Sequence, residues 1–213
     1  MSCFQIATTA EERDAIYRLR YDVYVREFNY PFPASPERLS DCWDASAVHF
    51  ALKDGEPLLG AMRVNCAVSL AHDEAVVERY QLGNVSGCPL ENLYLASRAI
   101  FTREARGGRH LRHMLREVFR WGLDQEVRVC VIDSSPRLVP LYERLGWVRY
   151  ADHFQDAALG ERVPLLLRLT DHDYLRSISS PFSSVLESRE LVGAGEDSPI
   201  GGWLTKQIAD GLG

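Results

Sequence analysis

The chain has 213 residues, 46% of them hydrophobic and 25% charged, which is ordinary for a globular protein and long enough for one sizeable core. A net charge of −6 argues against nucleic acid as the main partner. Five cysteines at wide, irregular spacings, with no CxxC or Cys/His ligand pattern, support neither a metal site nor a disulfide framework.

Residues 3–7 read as a short first strand. Thr8 or Thr9 can cap the following helix, with Glu11 and Glu12 in its first turn. The opening MSCFQIATTAEERD lacks the charged-then-apolar order of a secretory signal. No apolar run nears the ~20 residues of a membrane span, so a cytoplasmic location is expected. The helix AEERDAIYRLRYDVYVREF turns Ile16, Leu19, Val23 and Tyr24 toward a core, and Pro31 and Pro33 end it. Residues 29–46 are a proline-rich loop. A hairpin follows, with strands at 48–52 and 57–66 about the Asp54-Gly55 turn. Residues 71–80 suit a short acidic helix and 83–91 a loop.

The most informative stretch is 93–122, LYLASRAIFTREARGGRHLRHMLREVFRWG. Its first nine residues suit a buried strand. The turn carries Arg103, Arg106 and Arg109 around Gly107 and Gly108. Leu111, Met114, Leu115, Val118 and Gly122 then share one helix face, with Arg109, Arg112, Arg116 and Arg120 opposite. Strand, basic Gly turn and helix N-terminus present backbone N–H groups to a phosphate. Residues 127–132 read as a second buried strand, broken at Asp133-Ser134-Ser135-Pro136. A short helix at 137–145 closes at Gly146, and 147–151 with 163–169 suit an antiparallel pair. Beyond 170, Ser, Gly, Asp and Glu dominate, with apolar islands at 174–178 and 203–208. That part reads as an accessory helix with a packed or mobile tail, or alternatively a lid over a substrate pocket. The expected division is a domain at 1–170 and an extension at 171–213.

This α/β order, a mixed central sheet flanked by helices, resembles the acyltransferase fold of the Gcn5-related N-acetyltransferase superfamily. Residues 93–122 look like its acyl-carrier-binding motif. SSPRLVPLYERLGW at 134–147 looks like its segment in which a Tyr precedes a Leu-Gly-aromatic ending. The usual loop has Gly at two alternating positions where this chain has Arg109 and Leu111. Side chains there obstruct close approach to a pyrophosphate, whereas phosphopantetheine on a carrier protein brings a single phosphate.

A narrower resemblance, over 16–104, is to the acyl-homoserine lactone synthases and the related N-acyl amino acid synthases. These share an Arg and an aromatic on the first helix, a second aromatic, and an Asp pair three apart, matched by Arg20, Tyr24, Tyr30, Asp41 and Asp44. Arg63 matches the Arg ending the strand after the hairpin. Arg98, in ASRAIF, matches the Arg of a strand motif. The lactone synthases place a Glu three residues before that Arg, where this chain has Leu95. Glu91 is the nearest carboxylate on the same strand face.

The resemblance implies an N-acyltransferase that moves a fatty or other acyl group from a thioester to the amine of a small molecule such as an amino acid. Tyr142 would protonate the leaving sulfur and Glu91 would act as base. The backbone at Ile100 and Phe101 would polarise the thioester carbonyl. Arg103, Arg106, Gly107, Gly108, Arg109 and Arg112 would surround the donor's phosphate. Arg20, Tyr24, Tyr30, Asp41, Asp44, Arg63 and Arg98 would shape the acceptor pocket. The co-substrate would be acyl carrier protein or acyl-CoA, with no permanently bound cofactor. The arginine stripe on the helix would dock an acidic carrier protein or be a solvated face. His110 and His113 lack a third metal ligand, and His49 reads as a core histidine. The alternatives are an acetyl-CoA-dependent acetyltransferase and a non-catalytic acyl or CoA sensor.

Overall fold

The computed structural model describes residues 2–33, 37–85 and 87–192. Strand β1 (Ser2–Ile6) leads into α1 (Ala10–Arg20). Thr9 caps that helix. Its hydroxyl accepts from the Glu12 N–H at 3.2 Å, and the Glu12 carboxylate accepts in return from the Thr9 N–H at 3.2 Å. The single long helix read from sequence is interrupted: after Arg20 it widens into a π-helical segment, Tyr21–Glu27. The Phe28 N–H there reaches back five residues to the Val23 carbonyl at 3.1 Å. Such a segment rotates the side chains that follow it relative to an α-helix.

β2 (Ala47–Asp54) and β3 (Leu58–Cys66) form the expected hairpin. Two short helices, α2 (Ala67–Leu70) and α3 (Glu74–Arg79), lead to β4 (Leu93–Phe101) and α4 (Gly108–Asp124). β5 (Val129–Ser134), α5 (Val139–Leu145), β6 (Val148–Arg149), β7 (Phe154–Asp156) and β8 (Gly160–Arg168) follow. The chain then forms α6 (His172–Ser177) and α7 (Ser183–Val192). The sheet order is β1-β2-β3-β4-β5-β8-β6, with β7 hydrogen-bonded to β8. β5 runs past the break read from sequence. Asp133 and Ser134 stay in the ladder opposite Pro164 and Val163, because the partner strand continues there and outweighs their weak strand propensity.

Two features of β4 position the site. Its parallel pairing with β5 covers only Leu93–Leu95 against Val129–Val131, after which the two strands part. On its other edge, the register with β3 shifts between the Ala61–Ile100 and Arg63–Ser97 pairs. This bulge holds Arg98 at φ +55, a left-handed conformation uncommon for a residue with a Cβ.

Side-chain alternation gives the sheet two different faces. Met62, Val64, Tyr94, Ala96 and Ile132 pack with Met114, Leu115 and Phe119 of α4 into the main core. The opposite face carries Arg63, Asn65, Leu95, Ser97 and Val131. α6, α7 and the link between them add Leu175, Phe182, Val185 and Leu186 to the α4-side core, each fully buried apolar side chain contributing about 1.5–3 kcal/mol. Phe182 stacks on Phe119 with ring centroids 4.5 Å apart. Gly146, at φ +115, closes α5, and a Cβ there would come within 2.6 Å of Leu175. The apolar island at 203–208 lies outside the described residues. Among those described, no helix is long and apolar enough to cross a membrane.

Candidate active site

Where β4 and β5 part, a cavity of about 570 Å³ opens, lined from both faces of the sheet. On the α4 side its wall is apolar, with Met62, Val64, Ala96, Leu115 and Phe119. On the opposite side it is charged and aromatic, with Tyr24, Asp41, Arg63, Arg98 and Asp133. One compartment suits a hydrocarbon chain and the other a polar, charged molecule.

The charged wall rests on a buried network. Asp44 accepts from Arg20 Nη1 at 2.7 Å and Arg63 Nη1 at 3.0 Å. Asp41 accepts from Arg63 Nη1 and, at 2.9 Å, from Arg98 Nη2. The two Asp residues also cap the short turn Cys42–Ser46: Asp41 accepts from the Trp43 N–H at 3.0 Å and Asp44 from the Asp41 N–H at 2.8 Å. Their spacing of three therefore has a local cause, and it aims both carboxylates at the arginines of distant strands. Arg63 also donates Nε to Ser97 Oγ at 3.1 Å and lies over the Trp43 ring. The Arg98 guanidinium sits 4.6 Å from the Phe32 ring and 5.7 Å from Tyr24, and Tyr30 packs beside Tyr24.

Burial works against charge on Asp41 and Asp44, but the neighbouring guanidinium groups outweigh it and hold both carboxyls below their usual range. His49 is buried and, for that reason first and because Arg20 is near, is pushed down to about 4. It is therefore neutral, with Nε2 donating to the Asp44 carbonyl at 3.2 Å and Nδ1 accepting from Arg20 Nη2 at 3.3 Å. Three guanidinium groups then face two carboxylates, leaving one positive charge in excess. Arg63 Nη2 is buried without a hydrogen-bond partner among the described residues.

On the donor side, Tyr142 of α5 lines the cavity, and burial pushes its hydroxyl up to about 12, so it is a neutral proton donor. The ladder bonds the Thr102 N–H to the Leu59 carbonyl at 2.8 Å. Alternation then turns Ile100's amide toward β3 and leaves those of Ala99 and Phe101 on the side where β5 has parted. Ile100 is buried against Ala61 and Val23. The Phe101 ring lies over Gly60, where a Cβ would collide with it.

Of the sequence-predicted residues, the structure brings Tyr24, Tyr30, Asp41, Arg63, Arg98 and Tyr142 onto one cavity, with Arg20 and Asp44 behind them. The basic turn lies outside the lining. Arg106 is clamped to Glu27, packs over Phe28 and donates to the Phe101 carbonyl. Arg112 donates to the Gly108 carbonyl, while Arg103 and Arg109 are exposed. Gly107, at φ +151, and Gly108 begin α4, and a Cβ on either meets nothing within 4 Å. Glu91 is exposed in a 3-10 turn, Leu90–Asn92, before β4 begins, so it does not share a pleat with Leu95 or reach the cavity. Sequence reasoning missed Phe32, Trp43, Tyr80, Asp133 and Arg162. Trp43, placed between the two aspartates, carried the clearest signal.

A mixed sheet whose two parallel strands part around a two-compartment cavity is the Gcn5-related acyltransferase fold. A family model described as "N-acyl amino acid synthase FeeM" matches residues 15–169. The chain belongs to that family and is an N-acyltransferase. No curated protein matches the chain. Among solved structures it is similar to FeeM, an N-acyl amino acid synthase from uncultured soil microbes, at 15% identity and TM-score 0.67, covering 87% of this chain and 98% of that one. It is also similar to the AHL synthase LasI, at 16% identity and TM-score 0.65, covering 80% and 91%. A third similar structure is BjaI, a CoA-dependent acyl-homoserine lactone synthase with SAM and isopentyl-CoA, at 18% identity and TM-score 0.62, covering 85% and 91%.

Proposed function

We propose that this protein transfers a fatty acyl chain from a carrier-protein thioester to the α-amine of an amino acid. The observation that carries the reading is the two-sided cavity at the gap between β4 and β5. The acyl chain occupies the apolar compartment beneath α4, with the thioester in the gap. An outward-turned amide of β4 polarises the carbonyl, and Tyr142 protonates the leaving thiolate. The acceptor enters from the charged side. The excess positive charge of the arginine network favours an acceptor that carries a carboxylate. Arg98, with its side chain 17% exposed, is the group such a carboxylate can reach.

The carrier-protein donor is supported by the turn before α4, where Arg106 is already engaged by Glu27, and by the first turn of α4, where Arg109 and Leu111 stand in place of small residues. BjaI is CoA-dependent by its description, which keeps a CoA donor as the competing reading. The test offers the full chain dodecanoyl-carrier protein and dodecanoyl-CoA in parallel, with the proteinogenic amino acids as acceptors, and detects N-acyl amino acids by mass spectrometry. Amide from the carrier-bound donor is expected. Amide from the CoA donor alone overturns the choice of donor, and amide from neither overturns the reaction.

A further inference from the structure

Acyl transfer leaves the attacking nitrogen with a proton to lose. β4 offers no carboxylate at the gap: Leu95 is buried among apolar side chains and Glu91 lies outside the cavity. Among the described residues three carboxylates line the cavity, those of Asp41, Asp133 and Asp156. Asp41 is consumed by Arg63, Arg98 and the Trp43 N–H. Asp156 holds its own turn, accepting from the Ala158 and Leu159 N–H groups at 2.9 Å and from Arg79 at 3.3 Å.

Asp133 differs. One oxygen accepts from the Tyr80 hydroxyl at 2.5 Å and the other from Arg162 Nε, so each keeps a free lone pair. Arg162 Nη2 also donates to the Asp133 carbonyl at 2.9 Å, and β8 holds the backbone in register. The side chain is fixed on three counts yet 13% exposed. Continuing the β4–β5 register past Leu95–Val131 sets Asp133 across the gap from Ser97, one residue before the bulge. Alternation puts it on the same face as Arg63 and Ser97, the acceptor's side. Tyr24, Asp133, Tyr142 and Arg162 all line the one cavity.

We propose that Asp133 is the proton acceptor for the attacking amine, with Tyr80 and Arg162 as its positioning residues. The assignment rests on the acyl-transfer reading above. The neutral amine forms the C–N bond at the thioester carbonyl, and the proton on its nitrogen passes to Asp133. The C–S bond breaks, the sulfur takes a proton from Tyr142, and the Asp133 proton returns to the Tyr142 oxygen through solvent. The products are one amide and one thiol, with both side chains restored.

The test uses the full chain with dodecanoyl-pantetheine and the proteinogenic amino acids. Asp133→Asn keeps the shape and is expected to lower kcat about hundredfold or more with the acceptor KM little changed; because it leaves Arg162 without its carboxylate, kcat is compared well below the variant's own unfolding midpoint. Asp133→Ala opens space for a small carboxylate, and added formate is expected to restore activity at least tenfold. Amide formed equally by the wild type and Asp133→Asn overturns the assignment alone. So does loss in Asp133→Ala that formate leaves unrestored and that tracks a lower unfolding midpoint. No amide from the wild type with any acceptor, from dodecanoyl-carrier protein and dodecanoyl-CoA as well as from dodecanoyl-pantetheine, overturns the parent reading and this one with it.

Discussion

Replacing Asp44 by Ala tests whether the arginine network is held by its carboxylates. Asp44 is 6% exposed and bonds to Arg20, Arg63 and the Asp41 N–H at 2.7, 3.0 and 2.8 Å. Without its carboxylate, Arg20, itself 1% exposed, keeps among the described residues the neutral His49 Nδ1 at 3.3 Å and the face of the Tyr17 ring. Three cations would then face Asp41 alone. Removing one partner of a buried ion pair costs roughly 3–5 kcal/mol, because the remaining charge is left uncompensated in a poor solvent. For a chain of this size that lowers the melting midpoint by roughly 6–20 °C. Urea unfolding followed by tryptophan fluorescence measures the cost directly. The double variant Asp44→Ala with Arg20→Met removes both charges, and its cost is expected to fall short of the sum of the single costs by about 1–3 kcal/mol. A cost below about 1 kcal/mol for Asp44→Ala, or strictly additive single variants, refutes the account.

The remaining predictions concern pH, chemistry and docking. His49 has its folded pKa depressed from 6.5 to about 4, so the unfolded chain takes up the proton first. Stability is complete above 6.5 and is lost as pH falls toward 4, by at most about 3 kcal/mol. His49→Gln is expected to flatten the unfolding free energy across that window, and an unchanged slope contradicts the assignment. Asp41 and Asp44, held below 3.8, add a further acid loss at lower pH. Tyr142→Phe is expected to lower kcat about hundredfold while leaving acyl-donor binding intact, and full activity removes it from the chemistry. Arg112→Glu with Arg116→Glu is expected to raise KM for acyl carrier protein at least tenfold while sparing acyl-pantetheine. Equal effects on both donors would show that the stripe is not a dock.

What the sequence by itself determined is what a few neighbouring residues encode. The existence of β4, a threonine cap at 8 or 9 before α1 and the Gly146 stop follow from local propensity and chain geometry. The spacing of Asp41 and Asp44 likewise follows from the turn they cap. The residue types of the arginine network were also legible, since a matching order of Arg, Tyr and Asp can be read without coordinates. Only the tertiary structure decided which groups meet. Asp41 and Arg98 are 57 residues apart in sequence, and their contact depends on sheet register and on a bulge that no periodicity announces. The π-helical turn after Arg20 shares its residue pattern with an α-helix. Asp133 looked like a strand breaker, and pairing with β8 made it the end of a strand facing the cavity. Glu91 failed for the converse reason, because β4 begins two residues after it. Local structure depends on torsional and hydrophobic preferences over a turn or two. The site depends on long-range strand pairing, where the same side chain can be a breaker in one context and a reactive group in another.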